Sequence, residues 1–280
     1  MNKAIKLFNH FTRGTIFRRL EYEKVKKNAI QKEKAWNDFL NSDQKEIVIQ
    51  ITNGSILKLY KDSSLSPHLF KGDFEFHEIK FILTFLEKGD VFIDIGANIG
   101  YFSITASSSV GETGAVHCFE PTEQTYSRLL GSIALNNAKN IFPHATALSN
   151  LNEERAFTVS TNGFDAYNSL GTPSEGEGFS KKILFTRSLD SFLKEENIAD
   201  PSLIKIDVEG WEIPVIEGMK ELLAKKTAPV LIVEFTESNA KSAGFSCSSL
   251  FDMITELNYN LYKYNWINNT LTKQTRQENY

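Results

Sequence analysis

Apolar and polar positions from residue 91 to residue 235 switch repeatedly between a strand-like and a helix-like pattern. Short apolar runs predict buried strands at residues 91–95, 115–119, 140–147, 203–208 and 230–235. Apolar residues at helical spacing predict helices between several of these runs, at residues 101–108, 122–136 and 212–225. Strands that alternate with amphipathic helices form a parallel sheet covered on both faces, so the pattern predicts an α/β fold.

The segments on either side of this pattern predict additional elements. Residues 24–45 favour a helix and a connector, and residues 46–59 alternate around Asn53-Gly54, a strong hairpin signal. Residues 74–86 have helical spacing. We therefore expect an extension of helix and hairpin over residues 1–73 and a main domain over residues 74–280. Within that domain, residues 259–272 predict a closing antiparallel hairpin.

Residues 151–189 interrupt the alternation of strands and helices. Two strand-like pieces, residues 155–160 and 183–187, flank a stretch rich in glycine, serine and polar residues at 162–180. An insertion at the ligand end of a sheet is a natural lid or acceptor-recognition element. The alternative interpretation, a mobile surface loop, stays open.

Composition places the chain among ordinary globular proteins. It has 280 residues, 41% of them hydrophobic and 24% charged. The two cysteines, Cys118 and Cys247, provide neither a disulfide framework nor a zinc-ligand spacing. A reducing compartment fits this usage best, so we expect a cytoplasmic location.

Charge is distributed unevenly along the chain. The net charge of −4 divides into +7 over residues 1–34 and −11 over the remainder, which argues against nucleic acid as a partner. The basic N-terminal residues are interspersed with apolar ones, among them Ile5, Phe8, Phe11, Phe17 and Leu20. Such a helix either contacts the inner face of a membrane peripherally or packs on its own domain, and both interpretations stay open. No run of apolar residues is long enough to span a bilayer. The sequence also carries no signal for an oligomeric state.

The most informative stretch is residues 91–103, VFIDIGANIGYFS. An apolar run ends at Asp94, breaks at Gly96 and Gly100, and continues as a predicted helix. Glycines permit a tight turn and close ligand approach, and the helix start offers N–H groups to an anion. Because Asn98 occupies the position of the middle glycine, the stretch departs from the dinucleotide fingerprint and pyrophosphate binding is disfavoured.

Carboxylates lie at or just after the ends of three of the other predicted strands. Glu120, followed by Pro121, ends the strand after the glycine turn, where an acid can accept hydrogen bonds from both hydroxyls of a ribose. Asp207, Glu209 and Glu212 lie in IKIDVEGWE, and Glu234 ends PVLIVE. Since parallel strands end at one edge of a sheet, these acids are expected around one crevice. There they can orient a hydroxyl, take its proton or hold a divalent metal; the alternative is that some cap helices or pair with Lys205 and Lys220.

Five motifs occur together and in order: VFIDIGANIGYFS, FEP, SLDSFL, IKIDVEGWE and PVLIVE. Over residues 75–240 the chain resembles the FkbM family of S-adenosylmethionine-dependent methyltransferases. The resemblance implies a class I methyltransferase fold, with a seven-stranded, mostly parallel sheet, helices on both faces and an antiparallel terminal strand. It also implies O-methylation of a sugar-hydroxyl acceptor in a glycan, glycolipid or glycosylated metabolite.

The resemblance implies cofactor-binding positions for S-adenosyl-L-methionine as well. The turn would hold the methionine part, Glu120 the ribose, and residues 147–149 would border the adenine. The full set of expected cofactor-binding residues is Asp94, Gly96, Ala97, Asn98, Gly100, Tyr101, Glu120, Pro121, Ala147, Leu148, Ser149 and Asp207.

For the reaction itself, Asp207, Glu209 and Glu234 are the expected catalytic residues. Either Asp207 or Glu209 acts as the base, or these two acids and Glu234 bind a divalent metal that acidifies the hydroxyl. Two other functions are weighed against methyl transfer. One is an NAD-dependent oxidoreductase, which the missing middle glycine disfavours. The other is a catalytically silent binding module tethered to a membrane by its basic N-terminus.

Overall fold

The computed structural model of the chain describes residues 15–160 and 179–277. The central sheet contains strands β3 (Val91–Ile95), β4 (Ala115–Phe119), β5 (Ile141–His144), β9 (Leu203–Ile206) and β10 (Val230–Val233), numbered along the chain. All five run parallel, in the order β10-β9-β3-β4-β5. The predicted parallel α/β sheet is therefore confirmed.

Helices cover both faces of this sheet, as expected. Because successive side chains of a strand point to opposite faces, Phe92 and Ile93 belong to two different hydrophobic clusters. The cluster around Phe92 includes residues of α3 (Phe76–Phe85), α4 (Tyr101–Val110) and α5 (Glu123–Leu135). The cluster around Ile93 includes residues of α6 (Leu189–Glu195), α7 (Glu212–Glu217), α8 (Lys220–Leu223) and α10 (Cys247–Glu256). The short helix α9 (Glu237–Ser242) follows β10 in the chain.

Among the described residues the central sheet has five strands, whereas seven were expected. The closing hairpin forms as predicted, from β11 (Tyr262–Asn265) and β12 (Thr270–Lys273), but as a separate two-stranded sheet. Its aromatic residues pack on α3, with Tyr264 against Phe81 and Trp266 against Phe76. This packing holds the hairpin on the helix rather than on the edge of the sheet.

The N-terminal part forms a helix and a hairpin. Helix α1 (Thr15–Leu40) packs through apolar residues such as Trp36 and Phe39, while Phe17 and Leu20 are exposed. Strands β1 (Glu46–Gln50) and β2 (Ile56–Tyr60) pair antiparallel around the predicted Asn53-Gly54 turn, and α2 (Ser66–Lys71) follows. Residues 1–14, which include Ile5, Phe8 and Phe11, lie outside the described residues.

Two predicted elements are divided in the structure. The strand expected at residues 140–147 ends at His144, and β6 (Ala147–Leu148) instead joins β7 (Glu153–Ser160) and β8 (Phe179–Arg187) in a second sheet. The helix expected at residues 212–225 is split at Gly218. A Cβ atom there would lie 2.0 Å from the Ser149 carbonyl oxygen, so the chain needs glycine at this contact. The middle of the expected lid, residues 161–178, lies outside the described residues.

The strand order fixes where a ligand can bind. The chain moves from β3 outward to β5, then returns to place β9 and β10 on the other side of β3. The crevice at such a reversal, beyond the carboxyl ends of the strands, is the usual ligand site of open α/β sheets. None of the helices in the described ranges has the length and apolarity needed to cross a membrane.

Candidate active site

A cavity of about 720 Å³ opens at the carboxyl ends of β3, β4, β9 and β10. This volume is in the range of pockets that hold a small-molecule ligand. The segments after these four strands supply much of its wall, and β6, β7 and residues 64–75 supply further residues. Among the expected site residues, those lining the cavity are Gly96, Ala97, Asn98, Tyr101, Glu120, Pro121, Ala147, Leu148, Asp207, Glu209 and Glu234.

The turn after β3 is tight because two glycines adopt left-handed backbone conformations. Gly96 has φ +81°, and a Cβ atom on it would lie 1.8 Å from the carbonyl oxygen of Asp207. Gly100 has φ +94° and would meet Leu129 at 2.7 Å. Asn98, at φ +48°, also lies in the left-handed region, which asparagine tolerates better than most residues. The turn after β3 therefore contacts the end of β9 backbone to backbone.

Glu120 is held by donors from two segments. The backbone N–H of Asn98 donates to its Oε2 at 3.2 Å, and the backbone N–H and hydroxyl of Thr122 donate to its Oε1. The residue is buried, with 6% of its surface exposed, and it still lines the cavity. These bonds tie the end of β4 to the turn after β3 and fix the carboxylate in place.

A group of buried charges lies on one face of the sheet. Asp94 and Lys205 are register partners on β3 and β9, so their side chains share a face. Lys205 is 4% exposed and donates to Asp207 Oδ2 at 2.7 Å. Burial alone would lower the pKa of Lys205, but Asp207, Glu75 and Asp94 together raise it. The Lys205 ammonium in turn holds the pKa of Asp207 below its usual range, against the effect of burial.

Asp94 itself lies behind the turn and is fully buried. One carboxylate oxygen accepts a hydrogen bond from Ser103 Oγ at 2.5 Å, and the other has no hydrogen-bond partner. Burial raises its pKa. Asp94 therefore supports the turn from beneath and does not line the cavity.

Asp207, Glu209 and Glu234 come together as predicted, with one carboxylate oxygen of each within 4.8 Å of the other two. Burial, with the nearby Asp207 charge, raises the pKa of Glu209 to about 8 and that of Glu234 to about 9. Asn239 Nδ2 donates to Glu209 Oε2, and Thr236 Oγ1 donates to Glu234 Oε1 at 2.7 Å. The cluster thus holds one ionised acid and two acids that retain protons near neutral pH. Their oxygen atoms are also the ligand type that a hard divalent cation prefers.

Three further residues expected around the site do not line the cavity. Ser149 is fully buried behind the wall and accepts a hydrogen bond from Trp211 Nε1 at 3.1 Å, so it supports the wall instead of bordering the cavity. Glu212 accepts from the backbone N–H groups of Val208 and Gly210, and this carboxylate closes the turn after β9. Gly100 shapes the turn without lining the cavity.

Sequence reasoning missed two residues of the site. The sequence analysis gives Lys205 only as a possible ion-pair partner, although a charged residue inside the apolar run LIKI is a recognisable signal of buried chemistry. Glu75 lies between Phe74 and Phe76 at the start of a predicted helix and carries no local signal. Only the tertiary structure brings it to the cavity.

Comparisons with known proteins were consistent with this geometry. The family model "Methyltransferase FkbM domain" matches residues 94–264. The hexuronic acid methyltransferase AglP of Haloferax volcanii is 28% identical over 145 residues, which cover 52% of this chain and 56% of AglP. The chain thus spans little more than half the length of this curated relative.

Two solved structures are more distantly similar. A precorrin-6y C5,15-methyltransferase from Geobacter metallireducens shares 13% identity over 70% of this chain and 80% of its own, with a TM-score of 0.40. A SAM-dependent O-methyltransferase from Thermotoga maritima shares 13% identity over 71% of this chain and 59% of its own, with a TM-score of 0.38. At these TM-scores the similarity is too partial to bear on function.

Proposed function

This chain belongs to the methyltransferase FkbM domain family, and we propose that it is an S-adenosylmethionine-dependent O-methyltransferase acting on a sugar hydroxyl. The observation that carries the proposal is one cavity that combines a glycine turn, a fixed strand-end carboxylate and a buried acid cluster. The name of the similar AglP protein, a hexuronic acid methyltransferase, supports a sugar as the acceptor.

The donor side of the cavity fits the cofactor. Gly96, Ala97 and Asn98 of the turn after β3 line the cavity, and Glu120 presents a carboxylate there, a group that accepts hydrogen bonds from ribose hydroxyls. Ala147 and Leu148 give an apolar wall suited to the adenine, and Pro121 also lines the cavity. Bound S-adenosylmethionine would supply an electrophilic methyl group.

On the acceptor side, we assign Glu209 as the general base. A base works best when the pKa of its conjugate acid is near the working pH, and burial places that of Glu209 at about 8. Asp207 is a weaker base because Lys205 stabilises its ionised form. In this assignment Glu209 takes the hydroxyl proton, while Asp207 and Glu234 orient the hydroxyl oxygen.

The three acids also support a second arrangement, in which they hold a divalent cation that acidifies the hydroxyl. Dialysis against EDTA distinguishes the general-base mechanism from the mechanism that requires a cation. If Glu209 is the base, turnover survives chelation; if a cation is required, turnover is lost and returns when Mg²⁺ or Mn²⁺ is added.

Calorimetry with S-adenosylmethionine and with NAD tests the donor. We expect binding of the first and none of the second. Binding of NAD alone would favour an oxidoreductase, and binding of neither would favour a silent module; the comparisons support neither alternative. Mass spectrometry of glycans from cells with and without the protein tests the acceptor, and we expect a difference of one CH₂ group.

A further inference from the structure

Glu75 lies outside the family-matched residues 94–264, yet its side chain lines the cavity. Its backbone adopts the left-handed conformation, with φ 42° and ψ 44°, directly before α3. Aromatic packing on both sides fixes this conformation. Phe74 packs against Tyr101, and Phe76 packs against Trp266. A non-glycine residue in this region is uncommon and is often found at functional sites.

The ring contact between Phe74 and Tyr101 places Glu75 beside the turn after β3, and the charges that act on it agree with this position. Burial raises the pKa of Glu75 to about 7, and the charges that act on it are those of Lys205, Asp207, Glu78 and Asp94. Its own charge helps to raise the pKa of Tyr101, which begins the helix after the glycine turn. Glu75 therefore lies at the end of the cavity formed by the turn after β3 and the end of β9.

At this end of the cavity one carboxylate oxygen of Glu75 has no hydrogen-bond donor. In the described ranges, four buried side-chain polar atoms have no hydrogen-bond partner, and one of them is Oε2 of Glu75. The ammonium of Lys205 already donates to Asp207. A buried acceptor without a donor is costly, so a ligand that brings N–H donors and positive charge would be stabilised here.

We propose that Glu75 binds the α-ammonium group of the methionine part of S-adenosylmethionine. An ammonium offers three N–H donors and a positive charge. Asp94 is too deeply buried to reach a ligand in the cavity, and Asp207 is already paired with the Lys205 ammonium, which leaves Glu75 as the acceptor beside the turn. This assignment rests on the proposed function, and it gives residues before the family-matched domain a role in holding the donor.

Equilibrium binding of three ligands tests the assignment without turnover. S-adenosylhomocysteine carries the ammonium, its analogue 5′-(3-carboxypropylthio)-5′-deoxyadenosine lacks only the amino group, and 5′-methylthioadenosine lacks the whole amino-acid part. Glu75→Gln should weaken binding of S-adenosylhomocysteine by about tenfold or more, because a neutral amide replaces the carboxylate that pairs with the ammonium. Binding of the other two ligands should change less than about twofold on the same grounds.

Glu78→Gln is the matched control, since it makes the same substitution in α3 at a residue that does not line the cavity. It should leave all three dissociation constants unchanged. Unchanged binding of S-adenosylhomocysteine to Glu75→Gln would overturn the assignment, as would equal weakening of all three ligands, which indicates a structural role. If the unaltered protein binds none of the three, the proposed function fails and this assignment fails with it.

Discussion

Glu120 and Glu234 each follow an apolar strand of the same parallel sheet, but their surroundings differ. Backbone N–H groups of Asn98 and Thr122 donate to Glu120. Glu234 accepts from one threonine hydroxyl, has a second oxygen without a donor, and lies beside Asp207 and Glu209. Burial and these neighbours raise the pKa of Glu234 to about 9.

The difference shows that the segment after a strand decides the chemistry of the acid at its end. After β4 the chain turns so that backbone donors point at the carboxylate. After β10 the chain offers the Thr236 hydroxyl and places Glu234 close to the carboxylates of Asp207 and Glu209. Glu120 is therefore suited to fixed binding, while the cluster that contains Glu234 is suited to holding and moving a proton.

The largest expected effect concerns the proton. Glu209→Gln should lower turnover by about 10² to 10⁴-fold, the range typical of a lost general base, while donor affinity is kept. Glu234→Gln resembles the protonated acid and should lower turnover much less. Methyl-transfer kinetics give the turnover of both variants. An equal loss of turnover in the two would show that the acids act as a single metal-binding unit instead.

The same comparison predicts a difference in donor binding. Glu120→Gln places an amide N–H₂ against a backbone N–H, and should weaken S-adenosylmethionine binding by about 10 to 100-fold through lost hydrogen bonds to a charged group. Glu234→Gln should leave that dissociation constant nearly unchanged. Calorimetry measures the dissociation constant of S-adenosylmethionine for each variant. Equal affinities in the two variants would remove Glu120 from the donor site.

A smaller effect is expected on stability. Because the folded-state pKa of Glu234 is raised from 4.5 to about 9, the folded protein binds more protons than the unfolded chain between these values. Stability therefore falls as pH rises through this window. Glu234→Gln removes the ionisable group that causes this fall in stability, and it should raise the free energy of unfolding at pH 8 by about 1 kcal/mol or more. Glu120→Gln should lower the free energy of unfolding. Urea denaturation at pH 6 and pH 8 checks both signs.

Much of this site could be predicted from the sequence because strand ends are local features. The apolar runs before Glu120 and Asp207 predicted both the strands and the shared edge at which the acids meet. Two predictions failed where partners came from elsewhere. The run at residues 140–147 spans two sheets, because β6 pairs with β8 across the insertion. Ser149 turned inward to bond Trp211.

The roles of Lys205 and Glu75 could not be predicted for a related reason. The buried charge of Lys205 depends on acids from three separate segments. Glu75 reaches the cavity only because aromatic residues of α4 and the closing hairpin fix the chain on either side of it. Neither set of partners has a signature at the residue itself.

The missing side chain at Gly96 has a mechanical consequence. The loop that would carry the donor and the loop that carries the proposed base meet at a contact between main-chain atoms, with nothing compressible between them. Displacement at a methyl group needs donor, acceptor and base aligned to within a fraction of a bond length. Through this contact, the alignment of the two loops is set by the backbone and does not depend on which rotamer any side chain adopts.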